Sequence, residues 1–278
     1  MTHWTFDAGD LIAETYRVVR TLGRGGNGEV YHAESAAGEH VAVKVIAGTS
    51  ESSAASVWHQ ARAMGQVQSA HVPRVYAPMV DSRAGTVFVT ELVRGESLIH
   101  RLKRDGPMRF RELKPIVSQV WTALHAVHSA NILHCNIKPS NVVLGADNHV
   151  TLIDFCSARM AGPDGLIIAP DRSTSLGWFS FIPPELIGRS TSMGTAGDIY
   201  ICGTLIFQAL SGQLPFAAKN ILQMVDLKAK GEPRRLSSIV SGVPPELDHF
   251  LGRTLARDPA ARFQSAFEAR TAWEELDL

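Results

Sequence analysis

Lys44, Asn141 and Asp154 have side chains suited to binding phosphate groups and a divalent cation. The ammonium of a lysine is a point charge that suits phosphate oxygens. An aspartate carboxylate and an asparagine amide oxygen are hard ligands, which Mg²⁺ prefers and shares with phosphates. These three residues therefore predict a site for a nucleotide's phosphates and a metal ion.

A glycine-rich segment precedes the lysine. Residues 23–30 read Gly-Arg-Gly-Gly-Asn-Gly-Glu-Val, and Lys44 follows Gly28 by sixteen residues on an alternating apolar segment. Glycines tolerate φ > 0 and let a backbone approach phosphates closely. Each feature alone has an ordinary explanation, namely a glycine hairpin, an edge lysine exposed to water, or an aspartate in a turn. Their order along the chain favours the phosphate site.

The elements that must position these residues divide into a strand-rich first lobe, 1–93, and a helical second lobe, 94–278. Alternating apolar residues predict strands, and three- and four-residue spacings predict helices. In the first lobe we expect strands at 16–22, 29–33, 40–46 and 85–93 and one helix at 53–68, with Val57, Ala61, Met64 and Gln68 on one face. Arg94-Gly95 ends the last of these strands.

The second lobe is predicted to be mainly helical, with a short strand at 149–154 and a long loop at 156–183. The predicted helices lie near 97–104, 110–130, 198–211, 218–229, 245–256 and 264–276. The second of them carries an apolar stripe of Leu113, Ile116, Val117, Val120, Leu124 and Val127.

Composition excludes several classes of function. The 27 Lys and Arg residues balance 27 Asp and Glu residues, so no charge excess favours nucleic acid or an anionic membrane. Three separated cysteines fit neither a disulfide framework nor a zinc site, which favours free thiols in a reducing compartment. With no signal-peptide pattern and no apolar run of about 18 residues, we expect a cytoplasmic protein or the soluble part of a longer one.

The order of the motifs resembles a protein kinase domain over nearly the whole chain, and it is most similar to bacterial Ser/Thr kinases. The motifs are the glycine-rich segment 23–30, Lys44, the segment 134–141 (His-Cys-Asn-Ile-Lys-Pro-Ser-Asn), 154–156, Pro184-Glu185, Asp198 and Arg262. The resemblance implies an α+β, two-lobed protein kinase fold. Its smaller lobe is an antiparallel β-sheet with one main helix, and its larger lobe is mainly α-helical.

The same resemblance implies an intact site for ATP with Mg²⁺ or Mn²⁺. Lys44 would hold the α- and β-phosphates and Lys138 the γ-phosphate, and Asn141 with Asp154 would hold the metal ion. The nucleotide pocket would be formed by Gly23, Gly25, Gly28, Val30, Ala42, Thr90, Glu91, Val93 and Val143. Glu185 would pair with Arg262, and Asp198 would brace the backbone of the catalytic loop.

Two departures from the family pattern remove catalytic groups. Asn136 stands where the family has its catalytic Asp, and an amide cannot accept the proton of a substrate hydroxyl, a role worth roughly 10²- to 10⁴-fold. Gln60 stands where the family has a helix glutamate that pairs with the strand lysine. Residues 52–69 contain no Asp or Glu, so this conclusion does not depend on the register.

Three further departures lie on or near the long loop. Trp178 follows Gly177 where the family has Thr, and its indole either crowds the substrate position or packs as core. Cys135 replaces the Arg that would bind a phosphate on Ser173, Thr174 or Ser175. Cys156 replaces a glycine and is interpreted as a buried, inert thiol rather than a redox-sensitive one.

These departures favour a pseudokinase, a kinase fold that binds ATP and Mg²⁺ and regulates or scaffolds partner proteins in bacterial signalling. The alternative is a weak or unconventional kinase, or a transferase that moves another part of ATP. A third interpretation makes Asn136 an artificial replacement of a natural Asp, which Gln60 and Trp178 argue against. No partner, upstream signal or oligomeric state follows from the sequence.

Overall fold

Residues 4–25, 28–46, 58, 61–62, 64–76, 78–155, 157–162, 167–168, 176–187 and 192–277 are described by the computed structural model of the chain. They belong to two compact units. Unit 1 comprises Met1–Gln68 and Val72–Arg94, and unit 2 comprises Ser69–His71 and Gly95–Leu278.

Unit 1 is built on a six-stranded antiparallel sheet. Its strands are β1 (Leu11–Ile12), β2 (Tyr16–Gly25), β3 (Gly28–Ser35), β4 (His40–Val45), β5 (Met79–Asp81) and β6 (Gly85–Glu91), in the order β1-β2-β3-β4-β6-β5. The four strands predicted from alternation are confirmed as β2, β3, β4 and β6, with ends that differ by up to three residues.

The alternation in β3 and β4 separates two faces of the sheet. One face is buried in the core of unit 1 and carries Tyr31, Ala33, Val41, Val43 and Val45. The other face, which is partly exposed, carries Val30, His32, Ala42 and Lys44. Since successive side chains of a strand point to opposite sides, the predicted nucleotide-binding residues share one face.

The helix predicted at 53–68 lies largely outside the described residues, and so does Gln60. The described residues 58, 61–62 and 64–66 are helical, and Ala61 and Met64 are buried as their spacing predicts. Gln68 is exposed and not helical, so the helix ends before the predicted position.

Unit 2 contains the helices α1 (Leu98–Asp105), α2 (Phe110–Ser129), α3 (Leu176–Phe181), α4 (Thr195–Ser211), α5 (Ile221–Lys230), α6 (Pro245–Thr254) and α7 (Ala266–Glu274). Apart from α3, each confirms a predicted helix to within three residues at either end. The apolar stripe of α2 is buried along its whole predicted length. Together with the sheet of unit 1, these helices confirm the predicted α+β class.

Helix α4 forms the centre of unit 2. Almost all of its residues are buried, including the polar side chain of Asp198. A helix that is apolar on every side is found in the core of a large unit rather than at its surface. Any polar side chain on such a helix has to find partners inside the protein.

The prediction of a long loop at 156–183 is wrong in part, because helix α3 and two short strands lie within it. The short strands of unit 2 are β7 (Glu96–Ser97), β8 (Ile132–Leu133), β9 (Val142–Leu144), β10 (Val150–Leu152), β11 (Arg159–Met160), β12 (Ile167–Ile168) and β13 (Ser192–Met193). Strand β11 pairs with β8, and β12 pairs with β13. Strands of two residues carry no periodicity, so their formation depends on a partner elsewhere in the chain.

The helices of the described residues do not include one that is long and apolar enough to cross a membrane.

Candidate functional site

The segment 134–141 is anchored to helix α4 through a buried carboxylate. Asp198 Oδ2 accepts the His134 backbone N–H, and Oδ1 accepts the Cys135 backbone N–H, both at 2.8 Å. His128 Nε2 lies 3.0 Å from Oδ2. The carboxylate therefore fixes the path of the chain as it leaves β8, as predicted for Asp198.

Several neighbours stabilise the ionised form of this carboxylate. Burial alone would raise the pKa of Asp198, but hydrogen bonding and the charge interaction with His128, together with His134 and the Cys135 N–H, lower it on balance. Asp198 is therefore an anion at neutral pH, which is the form that accepts both backbone N–H groups.

His134 supports the loop as a neutral side chain. Burial lowers the pKa of its imidazole, and the ring packs against Phe155 with 4.4 Å between the ring centroids. Its Nδ1 accepts the backbone N–H of Asn136 at 3.2 Å. The ring thus links the catalytic-loop segment to the residue that follows Asp154.

Asn136, Asn141 and Asp154 form one hydrogen-bonded cluster in unit 2. The Asn136 side-chain Nδ2 donates to Asp154 Oδ2 at 3.1 Å, and Asn141 Nδ2 donates to the Asn136 backbone carbonyl at 2.8 Å. The backbone N–H of Ile153 donates to the Asn141 carbonyl at 2.9 Å. The predicted metal ligands and the position of the lost catalytic base are therefore immediate neighbours.

Two residues of this region adopt the left-handed backbone conformation. Cys135 has φ 60° and Asp154 has φ 65°. Such conformations cost of order 1–3 kcal/mol for residues other than glycine, and they persist where surrounding contacts impose them. At Cys135 the imposing contact is its N–H bond to Asp198. The side chain of Asp154 accepts the hydrogen bond from the Asn136 amide.

The glycine-rich segment in unit 1 joins β2 to β3. Position 28, the first residue of β3, has to be a glycine. Gly28 has φ 117°, and a Cβ built there would lie 1.9 Å from the Val45 carbonyl oxygen. A side chain at this position would therefore be strained and would clash with the neighbouring strand. Gly23 and Gly25 lie in β2, and residues 26–27 are outside the described part.

Glu29 fixes the base of this segment. Its carboxylate accepts hydrogen bonds from the Thr5 backbone N–H at 3.0 Å, from the Tyr31 hydroxyl and from Arg24. Burial alone would raise the pKa of Glu29, and these hydrogen bonds lower it. Burial and the same carboxylate raise the pKa of Tyr31 to about 12. The sequence interpretation gave Glu29 no role, since Thr5 and Tyr31 lie outside the segment 23–30 and Arg24 meets Glu29 only when β2 pairs with β3.

The remaining nucleotide-binding candidates of unit 1 occupy neighbouring positions on the sheet. Val30 is paired with Lys44 across β3 and β4, and Ala42 is paired with Thr90 across β4 and β6. Glu91 donates its backbone N–H to the Arg74 carbonyl, and its own carbonyl accepts the Thr90 hydroxyl at 3.3 Å. Val93, in the same unit, follows β6.

Not all predicted site residues fall within the described structure. Lys138 and Val143 lie in unit 2, on either side of the short 3₁₀ turn Pro139–Asn141. Gln60 and Cys156 fall outside the described residues, as do Ser173, Thr174 and Ser175. The backbone of Trp178 lies in α3, and its side chain is outside the described part.

A buried ion pair between Glu185 and Arg262 connects the 3₁₀ turn Pro184–Leu186 to the segment that precedes α7. Arg262 Nη1 and Nη2 bind the two carboxylate oxygens of Glu185 at 2.9 and 2.8 Å. The same guanidinium donates to the backbone carbonyls of Ala196, Ala256 and Arg257. The pairing of Glu185 with Arg262 is confirmed, in the bidentate geometry that arginine favours with a carboxylate.

A family model described as the protein kinase domain matches residues 16–273. The chain belongs to the protein kinase domain family. The match covers the glycine-rich segment, Lys44 and the cluster around Asp154, together with the structural pairs of Asp198 and Arg262. Kinases of this family use ATP with Mg²⁺ or Mn²⁺.

Several bacterial Ser/Thr kinases are similar to this kinase domain. PknD of Mycobacterium tuberculosis is 30% identical over 257 residues, which are 90% of this chain and 38% of that protein. PknH of Mycobacterium bovis is 31% identical over 268 residues, 94% of this chain and 44% of that protein. PknE of Mycobacterium tuberculosis is 29% identical over 253 residues. The chain spans about two-fifths of the length of these relatives.

The sequence interpretation missed Lys228, which the kinase domain buries beneath the segment 176–182. Its side chain is 1% exposed, and its Nζ donates to the carbonyls of Ser180 and Ile182 at 2.9 and 2.5 Å. The ring centroid of Tyr200 lies 5.0 Å from the same nitrogen. These carbonyls lie at the C-terminal end of α3, where a helix lacks partners of its own. The sequence did contain a signal for this burial: Lys228 follows Met224 by four residues on α5, which places both side chains on the same face of the helix.

Lys228 is expected to make stability rise with pH. Burial lowers its pKa well below the usual 10.5, an effect that the Glu185 charge partly offsets. Between the folded pKa and 10.5 the unfolded chain binds more protons, so the free energy of unfolding increases as pH rises. In urea unfolding between pH 7 and 10, we expect wild type to gain stability relative to Lys228→Met.

The matched control for this prediction is Lys230→Met on the same helix. Lys230 is exposed and pairs with Asp226, which raises its pKa. Its removal should therefore produce no such rise with pH below 10. A constant or decreasing difference between wild type and Lys228→Met would contradict a lowered pKa of the buried Lys228 side chain.

Proposed function

We propose that this kinase domain is a pseudokinase that binds ATP, with Mg²⁺ or Mn²⁺, and regulates or scaffolds partner proteins. The observation that carries the proposal is the hydrogen bond from Asn136 Nδ2 to Asp154 Oδ2 at 3.1 Å. At the position of the catalytic base, the side chain directs an N–H donor towards a carboxylate. A neutral amide has no basic site for the proton of a substrate hydroxyl.

The nucleotide half of the proposal rests on retained residues. Lys44 lies on the partly exposed face of unit 1 with Val30 and Ala42, and it supplies the positive charge for a phosphate chain. In unit 2, the oxygens of Asn141 and Asp154 are hard ligands that fit Mg²⁺ or Mn²⁺. The metal ion would neutralise phosphate charge when bound, and Lys138 would contact the terminal phosphate.

The Asn136 amide also changes the electrostatic environment of the Asp154 carboxylate. A carboxylate at residue 136 would place a second negative charge about one hydrogen-bond length from Asp154, and like charges at this distance repel strongly inside a protein. The amide removes that repulsion and donates a hydrogen bond in its place. We therefore infer that nucleotide binding depends less on the divalent cation here than it would in Asn136→Asp.

The binding half is tested by thermal unfolding with ATP, with and without MgCl₂ or MnCl₂. At 100 times its Kd, ATP should stabilise the fold by about 2.7 kcal/mol. For a chain of this size we expect an increase in Tm of about 5–10 °C. Lys44→Met should abolish most of this increase. The increase in Tm caused by ATP should depend more strongly on the metal ion in Asn136→Asp than in wild type. No response of wild type to ATP would overturn the nucleotide half.

A weak or unconventional transferase is the second candidate, because Lys44, Lys138, Asn141 and Asp154 suffice to orient a triphosphate. Phosphoryl transfer depends mostly on positioning and electrostatics, so some activity can survive without a base. ATP labelled at the γ- or α-phosphate separates phosphate transfer from AMP transfer. The pseudokinase proposal expects no label above Asp154→Ala, and label above that control supports the transferase.

The location and partners of the protein are also proposals. The two described cysteines, Cys135 and Cys202, are buried free thiols, which supports a reducing compartment such as the cytoplasm. The partners would be proteins of a signalling pathway that contact the kinase domain. Recovery of the same proteins by the wild-type chain and by Asp154→Ala would separate scaffolding from catalysis.

A further inference from the structure

His32 and His40 meet on the face of the sheet that also carries Ala42 and Lys44. His32 lies on β3 and His40 on the neighbouring strand β4, and their ring nitrogens Nε2 and Nδ1 are 3.0 Å apart. The two ring centroids are separated by 4.9 Å. Glu34 is paired directly with His40 across the strands. Since residues two apart point to the same side, all three side chains share this face.

The geometry points to a site for a borderline divalent metal ion, of which Zn²⁺ is the representative, bound by His32 Nε2 and His40 Nδ1. Imidazole is a favoured ligand of Zn²⁺, Ni²⁺ and Cu²⁺. Zinc–nitrogen bonds of about 2.0–2.1 Å place two tetrahedral ligands about 3.3 Å apart and two ligands at a right angle about 2.9 Å apart. The observed separation therefore needs a change of only a few tenths of an ångström.

A metal ion can replace the hydrogen bond between the two rings without removing a proton from either ring. Without metal, one of the two facing nitrogens carries the hydrogen-bond proton and the other accepts it. When a metal ion takes both lone pairs, the donating ring moves its proton to its other nitrogen. His40 is exposed, so a proton on its Nε2 can hydrogen-bond water, whereas the proton on His32 Nδ1 is buried and has no hydrogen-bond partner among the described residues. Neither ring loses its proton, and both bind the metal as neutral imidazoles.

Burial, together with the positive charges nearby, favours the neutral form of the His32 imidazole. Burial lowers the pKa of His32, and the positive charges of Arg20 and Arg94 and the proximity of His40 lower it further. Glu34 acts in the opposite direction. Arg20 and Arg94 also repel a cation, and the Glu34 carboxylate offsets part of this repulsion. A neutral ring at pH 7 offers a lone pair without having to release a proton first.

A second close histidine pair in the described structure, His71 and His149, lacks this arrangement. The rings of His71 and His149 are stacked, with 18° between their planes. His71 Nδ1 donates to the Val150 carbonyl and His149 Nε2 donates to the Ala70 carbonyl, each at 2.8 Å. Both hydrogen-bonded nitrogens are thus protonated and directed at the backbone. Among the histidines that the structure describes, the hydrogen bond between two ring nitrogens is at His32 and His40.

The proposed site is completed by solvent. No group of three or more His, Cys, Asp or Glu side chains in the described part of the chain is placed to hold a metal ion. The remaining positions on the ion therefore belong to water, or to Glu34 after a change of rotamer. A metal ion at this position would link β3 to β4, the strands that carry Val30 and Lys44.

The test is calorimetric titration of the tag-free chain with ZnCl₂ at pH 7.5. We expect one equivalent to bind, with at least a tenfold weaker Kd in His40→Asn and in His32→Asn. His100→Asn on α1 is the control, because His100 is exposed and lies in the other unit, and it should bind like wild type. Cu²⁺ should show two nitrogen ligands in its electron paramagnetic resonance spectrum, and His40→Asn should lose one of them.

Three outcomes would overturn the site: no binding by wild type, equal affinity in all three histidine variants, or loss of binding in Asp154→Ala. The last result would place the ion in the cluster of unit 2 instead. Tm measured without metal shows whether each variant is folded, and His40→Asn changes an exposed side chain. Because the site does not involve ATP, its failure and the failure of nucleotide binding are separate results.

Discussion

Asp198→Ala is expected to lower the free energy of unfolding by about 3–5 kcal/mol. The carboxylate accepts the backbone N–H groups of His134 and Cys135, each at 2.8 Å, inside the core of unit 2. Its removal leaves both donors buried without a partner, and each such group costs about 1–3 kcal/mol. His128 loses its acceptor as well.

Asp198→Asn is the informative companion, because it keeps the volume and one acceptor oxygen. It should lose roughly half as much stability as Asp198→Ala, since a single amide oxygen cannot replace both carboxylate oxygens. Urea unfolding measures the loss for each variant. Amide hydrogen exchange at His134 and Cys135 provides a local measurement, and both amides should exchange faster in each variant than in wild type.

Asp147→Ala serves as the control for this prediction, because Asp147 is exposed and only caps a turn by accepting the His149 N–H. Its effect should be small, and the amides of His134 and Cys135 should stay protected. If Asp198→Ala unfolds within 1 kcal/mol of wild type with both amides protected, the carboxylate does not hold the loop.

The part of this fold that the sequence predicts well consists of regular elements and fixed motif spacings. The β4 strand alternates strictly, and α2 carries a continuous apolar stripe, so each is specified by its own residues. The contacts of Asp198 and Arg262 were also predicted, because the resemblance to protein kinases implies a partner for each residue. In these cases a short stretch of sequence, or two motifs in order, contains the required information.

The parts that could not be predicted depend on contacts between distant residues. Helix α3 has carbonyls satisfied by Lys228, which lies 46 residues beyond Ile182. Asn136 meets Asp154 where the backbone is left-handed at both Cys135 and Asp154, and no periodicity encodes this arrangement. Likewise, His32 and His40 become a pair only through the register of β3 and β4. A change of one residue in that register would place them on opposite faces.

Arg262→Met is the second change with a large expected effect, again a loss of about 3–5 kcal/mol. The Arg262 side chain is fully buried and the Glu185 side chain is 13% exposed, so the variant leaves a carboxylate with little water and without the guanidinium that binds both of its oxygens. The carbonyls of Ala196, Ala256 and Arg257 lose their donor at the same time. Urea unfolding should therefore show a large decrease in the midpoint.

A double substitution separates the cost of the unpaired charge from the value of the pair. Arg262→Met with Glu185→Gln removes the buried charge, so it should recover part of the stability that Arg262→Met loses. Lys230→Met, which breaks the exposed pair with Asp226, should leave the midpoint unchanged. If Arg262→Met and Lys230→Met have equal effects, or the double variant is no more stable than Arg262→Met, burial of the Glu185 charge does not explain the loss. The recovered fraction thus measures how much of the pair's importance comes from the desolvated carboxylate rather than from the hydrogen bonds of the guanidinium.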